Sequence, residues 1–136
     1  MRKFLIAGHG HFASGLKSAL DIITGETDRI WVIDAYTEEN RSIEDNVRAI
    51  ASQIRSDDDL VVFTDLMGGS ITNQVVRNLD LARVHVLSGT NFPLLIDLVL
   101  SDPDTPTSEA IESALTAARE QIVYVNKILK NHTTDD

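Results

Sequence analysis

The chain has 136 residues and a formal net charge of −9 at pH 7, with 43% hydrophobic side chains and no cysteine. This length and composition are typical of one globular domain, and the lack of cysteine excludes a disulfide scaffold, a cysteine nucleophile and any cysteine-based metal site. The acidic balance argues against nucleic acid as a partner, and no stretch approaches the roughly 18 apolar residues of a membrane span.

Four short apolar runs predict buried strands. They lie at residues 4–7, 30–33, 60–63 and 84–87. Each run is rich in β-branched or aromatic residues and largely lacks strict alternation of apolar and polar side chains. This pattern is typical of strands that are buried on both faces of a parallel sheet.

Apolar residues recur at helical spacing between and after these runs, and they predict five helices. Ala13, Leu16 and Leu20 mark the first helix, and Ser42 with Asp45 resembles a capping box at the start of the second. The other three helices carry their apolar residues over 71–79, 94–99 and 111–122. Ser70 is expected to precede the first of these three, and Asn91 and Pro93 are expected to open the second.

The alternation of strands and helices predicts an α/β fold, a three-layer sandwich around a mostly parallel sheet. Helices cover both faces, because crossovers between parallel strands are right-handed. A last apolar run at residues 122–125 either continues the fifth helix or adds a strand. We expect one domain over residues 1–130 and a polar tail over residues 131–136.

The loops that follow the strands are the places to look for chemistry, because open α/β sheets bind ligands beyond the carboxyl ends of their strands. The stretch 8–13 matches the dinucleotide pattern G-x-G-x-x-G/A, and Asp34 stands where an acid that binds ribose would lie. The pattern is short, however, and the chain has no room for two mononucleotide-binding halves and a substrate domain. A small nucleotide-binding or flavodoxin-like module stays open as an alternative.

His9 suggests a different chemistry. It lies between two glycines at a helix N-terminus, an environment that suits an anion. In the common strand order 2-1-3-4-5 the first and third strands are neighbours, which brings His9 close to Asp65. A carboxylate that accepts from Nδ1–H would leave Nε2 free as a nucleophile. His11 is expected to face solvent, and no metal or cofactor is expected, because the spacing of His9 and His11 matches no strong ligand pattern.

A phosphoryl group is the ligand that fits this loop cluster best. Gly68 and Gly69 lead into the third predicted helix, which is the second helix to start at this site, and Ser70 adds a hydroxyl there. Backbone amides there and at Gly10, with the Ser70 hydroxyl, are expected to bind phosphoryl oxygens. A histidine nucleophile, a carboxylate that orients it and two helix ends together form a site that can accept a phosphoryl group.

Three stretches resemble known motifs. FLIAGHGHFASGL at residues 4–16, VFTDLMGGSITN at residues 62–73 and SGTNFPLL at residues 88–95 are similar to the enzyme IIA proteins of the mannose family. These proteins belong to the bacterial phosphoenolpyruvate-dependent sugar phosphotransferase system. The similarity covers nearly the whole chain.

The resemblance implies a fold and an activity. It implies a five-stranded sheet of order 2-1-3-4-5, whose last strand is antiparallel and is exchanged between the subunits of a homodimer. It implies a cytoplasmic phosphocarrier: His9 takes a phosphoryl group from phospho-HPr and passes it to a histidine of a IIB subunit or domain. The IIC and IID permease is then served indirectly. Asp65 matches the acid that bonds the active histidine, and Ser70 matches the hydroxyl near the phosphate.

One departure from the family is visible, because Leu66 and Met67 stand where some members carry Thr-Trp. It bears on the sugar branch and on the surface that meets IIB, and not on the chemistry. The first motif is most similar to the branch that serves N-acetylgalactosamine and related amino sugars. A related alternative is the phosphocarrier subunit of a dihydroxyacetone kinase, which shares this domain.

Overall fold

A computed structural model describes residues 1–25, 28–37, 42–79 and 82–134 of the chain. Within them, four strands alternate with helices, and two further helices follow. The strands are β1 (Arg2–His9), β2 (Ile30–Ala35), β3 (Asp59–Thr64) and β4 (Val84–Leu87). The helices are α1 (Phe12–Ile23), α2 (Ile43–Ala51), α3 (Ser70–Asn78), α4 (Phe92–Val99), α5 (Thr107–Glu120) and α6 (Val125–Thr134). The predicted α/β class is confirmed.

The four strands form one parallel sheet in the order β2-β1-β3-β4. These are the first four positions of the expected order. The chain leaves β1 toward β2 on one side and then crosses to β3 on the other, so the direction of winding reverses between β1 and β3. Ala7 of β1 pairs with Thr64 of β3. The residues just beyond this pair therefore lie at the point where such sheets bind ligands.

Both faces of the sheet are buried, which explains why the strand sequences do not alternate. Phe4 and Ile6 pack with α1, α4 and α5 on one side. Leu5 and Ala7 pack with α2 and α3 on the other. Successive residues of a strand point to opposite faces, so a strand between two helical layers is apolar throughout. The chain thus has the three layers that its sequence predicts.

Local signals at the helix starts agree with the structure in two places and differ in one. The Ser42 hydroxyl accepts a hydrogen bond from the Asp45 N–H (3.2 Å), so the predicted cap at the start of α2 is confirmed. Asn91 caps α4 by accepting from the Leu94 N–H (3.0 Å). Ser70 was expected to precede α3 but is its first helical residue, and Gly69 occupies the cap position.

The C-terminal segment departs from expectation. Helix α5 ends at Glu120, and a separate helix begins at Val125, so no fifth strand forms here in the part of the chain that the structure describes. Val125, Ile128 and Leu129 recur at helical spacing, and in a single chain no neighbouring strand pairs with this segment. Helix α6 reaches Thr134 and therefore includes part of the expected tail, while residues 135 and 136 lie outside the described residues.

Candidate functional site

The reversal point between β1 and β3 brings together the residues that the sequence singles out. His9 is the last residue of β1, and Asp65 directly follows the last residue of β3. Because the two strands are parallel neighbours, their carboxyl ends lie side by side. The predicted juxtaposition of His9 and Asp65 is present, and it follows from strand order alone.

Asp65 holds His9 by both its ring and its backbone. Oδ2 of Asp65 lies 2.7 Å from the imidazole Nδ1 and accepts a hydrogen bond of 2.8 Å from the His9 backbone N–H. An ionised carboxylate can only accept, so Nδ1 carries a hydrogen, and in the neutral form of the ring Nε2 has the lone pair. The His9 side chain is 46% exposed and that of Asp65 only 11%. The ring is thus fixed from the protein side and open on the other.

The other oxygen of Asp65 also has a partner, and together these contacts determine the charge of the carboxyl group. Oδ1 accepts from the Leu66 N–H at 3.0 Å. Burial opposes ionisation of Asp65, but the hydrogen bonds and the charge interaction with His9, together with the Leu66 amide, outweigh it. The pKa of Asp65 is therefore held below its ordinary value.

Three hydroxyl groups, two of them on buried threonines, lie beneath the Asp65 loop and fix its path. The Thr72 hydroxyl donates to the Leu66 carbonyl at 3.0 Å, and it also lies 3.0 Å from the Thr64 hydroxyl. Thr64 in turn is 2.6 Å from the hydroxyl of Ser88, which opens the third sequence motif. The second and third motifs thus meet below the site, where they connect β3, α3 and the loop after β4.

The start of α3 lies at the same end of the sheet, beyond the carboxyl ends of the strands. Gly68 has φ +76°, a conformation that L side chains rarely adopt, and it turns the chain from the Asp65 loop into the helix. The first amides of a helix have no partner within it and carry the positive end of its dipole. Ser70, at the first helical position, adds its hydroxyl to these amides. This helix end has the donors that an anion requires.

The backbone amide of Gly10, which is expected from the sequence to bind a phosphoryl oxygen, has a backbone partner in this structure. Its φ is +55°, and its N–H donates to the Ala35 carbonyl at 2.9 Å. The amide is therefore engaged with the backbone at the end of β2 and is not free to bind a phosphoryl oxygen in this structure. Gly10 shapes the turn that follows His9.

Asp34, the acid of the dinucleotide-like pattern, is also engaged. Its Oδ1 accepts from the Ser14 N–H in the first turn of α1 (3.0 Å), and its Oδ2 lies 3.1 Å from Nδ1 of His11. Burial opposes ionisation, but the hydrogen bonds from Ser14 and His11 lower the pKa of Asp34. The carboxylate thus caps the helix on which a pyrophosphate would rest, which disfavours the nucleotide alternative. His11 is solvent-facing, as expected, with its side chain 80% exposed.

Tyr36 also lies in the site, although it belongs to none of the sequence motifs. Its ring centroid is 5.4 Å from that of His9, and its hydroxyl is hydrogen-bonded to that of Ser70. An aromatic residue two positions after Asp34, just past the strand that neighbours β1, is the one signal that would have pointed to it. Periodicity carries no such information, because Tyr36 lies outside the strand.

Neither a metal centre nor a membrane span is found in the described ranges. No three histidine or acidic side chains among these residues are grouped as ligands for a metal ion. Likewise, none of the described helices is both long and apolar enough to cross a bilayer.

A parallel three-layer α/β domain with a carboxylate-bound histidine at its reversal point is the class that fold and site define. Residues 3–115 match the sequence profile of the EIIA-man family, described as the PTS system fructose IIA component. The match covers most of the chain. The protein belongs to this family of phosphotransferase-system IIA components, and the resemblance of its three motifs is confirmed.

Similar proteins agree with this assignment. A crystal structure from Klebsiella pneumoniae, of a protein assigned as a phosphoenolpyruvate-dependent sugar phosphotransferase system permease, is 38% identical with a TM-score of 0.86 and covers 94% of this chain and 93% of that one. A PTS IIA protein associated with the fucose utilization operon of Streptococcus pneumoniae is 29% identical with a TM-score of 0.79, covering 94% and 96% of the two chains.

The mannose-specific EIIAB component of the PTS in Escherichia coli K12 is 25% identical over 121 residues, which are 87% of this chain. The same match covers 38% of that relative. The chain therefore spans well under half the length of the curated relatives that it matches.

Proposed function

We propose that this IIA component is a phosphocarrier that accepts a phosphoryl group from phospho-HPr on Nε2 of His9 and passes it to a cognate IIB. The observation that carries the proposal is the pair of contacts from one Asp65 oxygen to the ring Nδ1 and the backbone N–H of His9, at 2.7 and 2.8 Å. They leave Nε2 on the exposed side of the ring. The IIB would then serve the IIC and IID permease in the membrane, so the IIA would act on the permease only indirectly, from the cytoplasm.

The chemistry is a direct displacement at phosphorus. The Nε2 lone pair attacks while the bond between phosphorus and the donor breaks, and the electron pair of that bond leaves with the donor. The Nδ1 hydrogen stays on the ring and points at Asp65, whose negative charge offsets the positive charge that develops on the imidazole. Such transfers depend mainly on positioning and on stabilisation of charge. The reverse displacement by a nucleophile of IIB discharges the protein.

The phosphoryl oxygens would be held chiefly at the start of α3. The Ser70 hydroxyl and the first amides of the helix supply donors there. The start of α1 is the weaker candidate, since the Asp34 carboxylate already accepts from the Ser14 amide and the Gly10 amide is engaged with Ala35. We therefore propose Gly68, Gly69 and Ser70 as the phosphate-binding residues and give Gly10 a role in shaping the loop.

The test is phosphorylation from phosphoenolpyruvate through enzyme I and HPr. We expect the wild type to gain one acid-labile phosphoryl group that peptide mapping places on His9. His11→Ala is the matched control, because His11 also bonds a carboxylate through Nδ1 and lies two residues away. His11→Ala should be labelled, and His9→Ala should not. Label that persists in a folded His9→Ala protein, or that resides on Ser70, would overturn the proposal.

We also propose that the chain is a homodimer in which the apolar segment 122–129 lies against a second copy. Six apolar residues of this segment are 42% or more exposed, namely Ile122, Val123, Tyr124, Val125, Ile128 and Leu129. Contiguous apolar surface of this kind is typical of an interface. Strand β4 ends the sheet that the structure describes, and a segment from a partner laid along it would cover that edge.

Light scattering tests the dimer, with an isoleucine outside the proposed interface as the control. Ile122→Asp should shift the mass at micromolar concentration toward that of a monomer. Ile22→Asp, on an even more exposed residue of α1, should leave the mass unchanged. A monomer mass for the wild type at micromolar concentration would reject the dimer.

A further inference from the structure

Tyr36 adopts an unusual backbone conformation. With φ +62°, it is the one residue other than glycine that has a positive φ among the residues that the structure describes. For a bulky side chain this region is disfavoured, and it is occupied where neighbouring contacts impose it. An outlier of this kind at the mouth of a site is a reason to look for a function.

Contacts on both sides of Tyr36 hold the backbone in place. The Gly10 N–H donates to the Ala35 carbonyl at 2.9 Å, which links the turn to the loop that carries His9. The Thr37 hydroxyl donates to the Asp34 carbonyl at 2.8 Å and closes the turn. The Tyr36 side chain is 61% exposed, so burial of apolar surface does not account for its conformation.

The hydrogen bond and the ring contact of the Tyr36 side chain both lie within the site. Its ring lies against that of His9, with centroids 5.4 Å apart and planes inclined by 38°. Its hydroxyl is hydrogen-bonded to the Ser70 hydroxyl at the start of α3. One side chain therefore touches both the proposed nucleophile and the proposed hydroxyl donor, and it links the ends of β1 and β2 to α3.

The direction of the hydrogen bond between the two hydroxyls decides what Ser70 can do. A serine hydroxyl has one hydrogen to donate and lone pairs to accept with. If Tyr36 donates to Ser70, the Ser70 hydrogen remains available for a second acceptor. A phenol is more acidic than an aliphatic alcohol and is the better donor of the two, and a donor that itself accepts a hydrogen bond is strengthened.

We propose that Tyr36 is a positioning residue of the phosphoryl site: its hydroxyl donates to Ser70, which directs the Ser70 hydrogen at a phosphoryl oxygen, and its ring limits the orientation of His9. The inference rests on the proposed function for the phosphoryl group itself. It adds a residue from the β2 end of the sheet to a site otherwise made by the ends of β1 and β3 and by α3.

Two substitutions separate the parts of this role. Tyr36→Phe keeps the ring and removes the hydroxyl. Tyr36→Asn removes both, but asparagine tolerates the left-handed conformation, so the turn is preserved. Phosphoramidate serves as a small donor that bypasses HPr: Nε2 of His9 bonds to phosphorus, the phosphorus–nitrogen bond of the reagent breaks, and ammonia leaves.

The rate of this reaction, followed by intact mass, tests the link to Ser70. Tyr36→Phe and Ser70→Ala should each slow it by about 2- to 10-fold, the range expected for one ordinary hydrogen bond. The double variant should be no slower than the slower single variant, because both changes remove the same chain of hydrogen bonds. A wild-type rate in Tyr36→Phe, or two effects that multiply, would overturn the proposal.

A spectroscopic measurement tests the ring contact without any phosphoryl donor. The aromatic ring of Tyr36 should displace the His9 ring proton resonances, so Tyr36→Phe should keep their positions and Tyr36→Asn should lose the displacement. Urea unfolding of Tyr36→Asn should match the wild type. Unchanged His9 resonances in Tyr36→Asn, or a loss of stability with no loss of rate, would mean that Tyr36 only shapes the turn.

The two donors also distinguish this inference from the proposed function. If phosphoramidate labels His9 and phospho-HPr does not, the phosphocarrier role fails, and the rates of the Tyr36 variants with phosphoramidate still decide the role of Tyr36. If neither donor labels His9, both proposals are overturned.

Discussion

Two histidine–aspartate pairs lie at the carboxyl-end edge of the sheet. They have the same residue types and nearly the same ring contact, but different surroundings. His9 bonds Asp65 through Nδ1 at 2.7 Å, and His11 bonds Asp34 through Nδ1 at 3.1 Å. Asp65 directly follows β3 and Asp34 is the penultimate residue of β2. Both carboxyl groups have a lowered pKa, and both bond their histidine through Nδ1 and not through Nε2. By residue type and by the ring contact alone, the two pairs are equivalent.

The difference lies in the backbone contacts of each carboxylate. Asp65 bonds the backbone N–H and the ring of the same residue, so the His9 imidazole is held at two points beside the Tyr36 ring. Asp34 gives its other oxygen to the Ser14 amide and acts as a cap of α1, while His11 is exposed and is held at one point. The same pair of residue types thus fixes an exposed imidazole in one place and caps a helix in the other.

The largest effect that should separate the pairs is on phosphoryl transfer. Asp65→Ala should keep the fold and slow transfer from phospho-HPr by about 10- to 100-fold, as is typical when the partner that orients a reactive histidine is lost. Asp34→Ala should retain transfer at close to the wild-type rate. Stopped-flow or quenched-flow labelling measures both. Equal losses in the two variants would mean that the pairs are functionally alike.

For stability the order should be reversed, with Asp34 as the carboxylate that matters more. Asp34→Ala removes the side-chain cap of α1 and should lower the free energy of unfolding by about 0.5–2 kcal/mol, the usual cost of losing a cap. Asp34→Asn should restore part of this loss, since an amide oxygen also caps. Urea unfolding at neutral pH provides the measurement. If Asp34→Ala unfolds at the wild-type urea concentration, the carboxylate does not cap α1.

The site of the His9–Asp65 pair can be tested further at the neighbouring Ser70 hydroxyl. Ser70→Ala should slow transfer by less than about 10-fold, because the amides at the start of α3 remain to bind the phosphoryl oxygens. Ser14→Ala is the control at the start of α1. It keeps the amide that bonds Asp34 and should leave transfer unchanged. A larger loss in Ser14→Ala than in Ser70→Ala would place the oxygens at α1 instead.

The His9–Asp65 pair could be predicted from the sequence because its formation depends on the order of the strands. Parallel order places the ends of β1 and β3 together, so His9 and Asp65 meet whatever their surroundings. The role of Asp34 was not apparent, because a strand-end acid followed by a turn fits a ribose, a cap or a surface group equally well. Tyr36 was missed since its place depends on one left-handed residue, which no periodicity encodes.

The C-terminal segment shows a second limit of sequence reasoning. A short apolar run such as residues 122–125 fits either a strand or a continued helix, and residues 122–124 form neither, because α5 ends at Glu120 and α6 begins at Val125. What such a run pairs with depends on whether another chain lies beside it. That information is absent from the periodicity of one chain, whereas the buried runs of β1 to β4 carry their partners in the same sequence.

The smallest expected effect is on the pH dependence of stability at Asp34. A carboxyl group whose pKa is lower in the folded protein than in the unfolded chain stabilises the fold fully above the unfolded value, and this contribution is lost as the pH falls through the folded value. Wild type and Asp34→Asn should therefore differ most in unfolding free energy at neutral pH. The difference should begin to shrink below about pH 5 and continue to shrink past the ordinary aspartate pKa of about 3.9. Urea unfolding at a series of pH values measures it. A gap that widens toward low pH would show that Asp34 stabilises the fold as a neutral acid and would contradict this prediction.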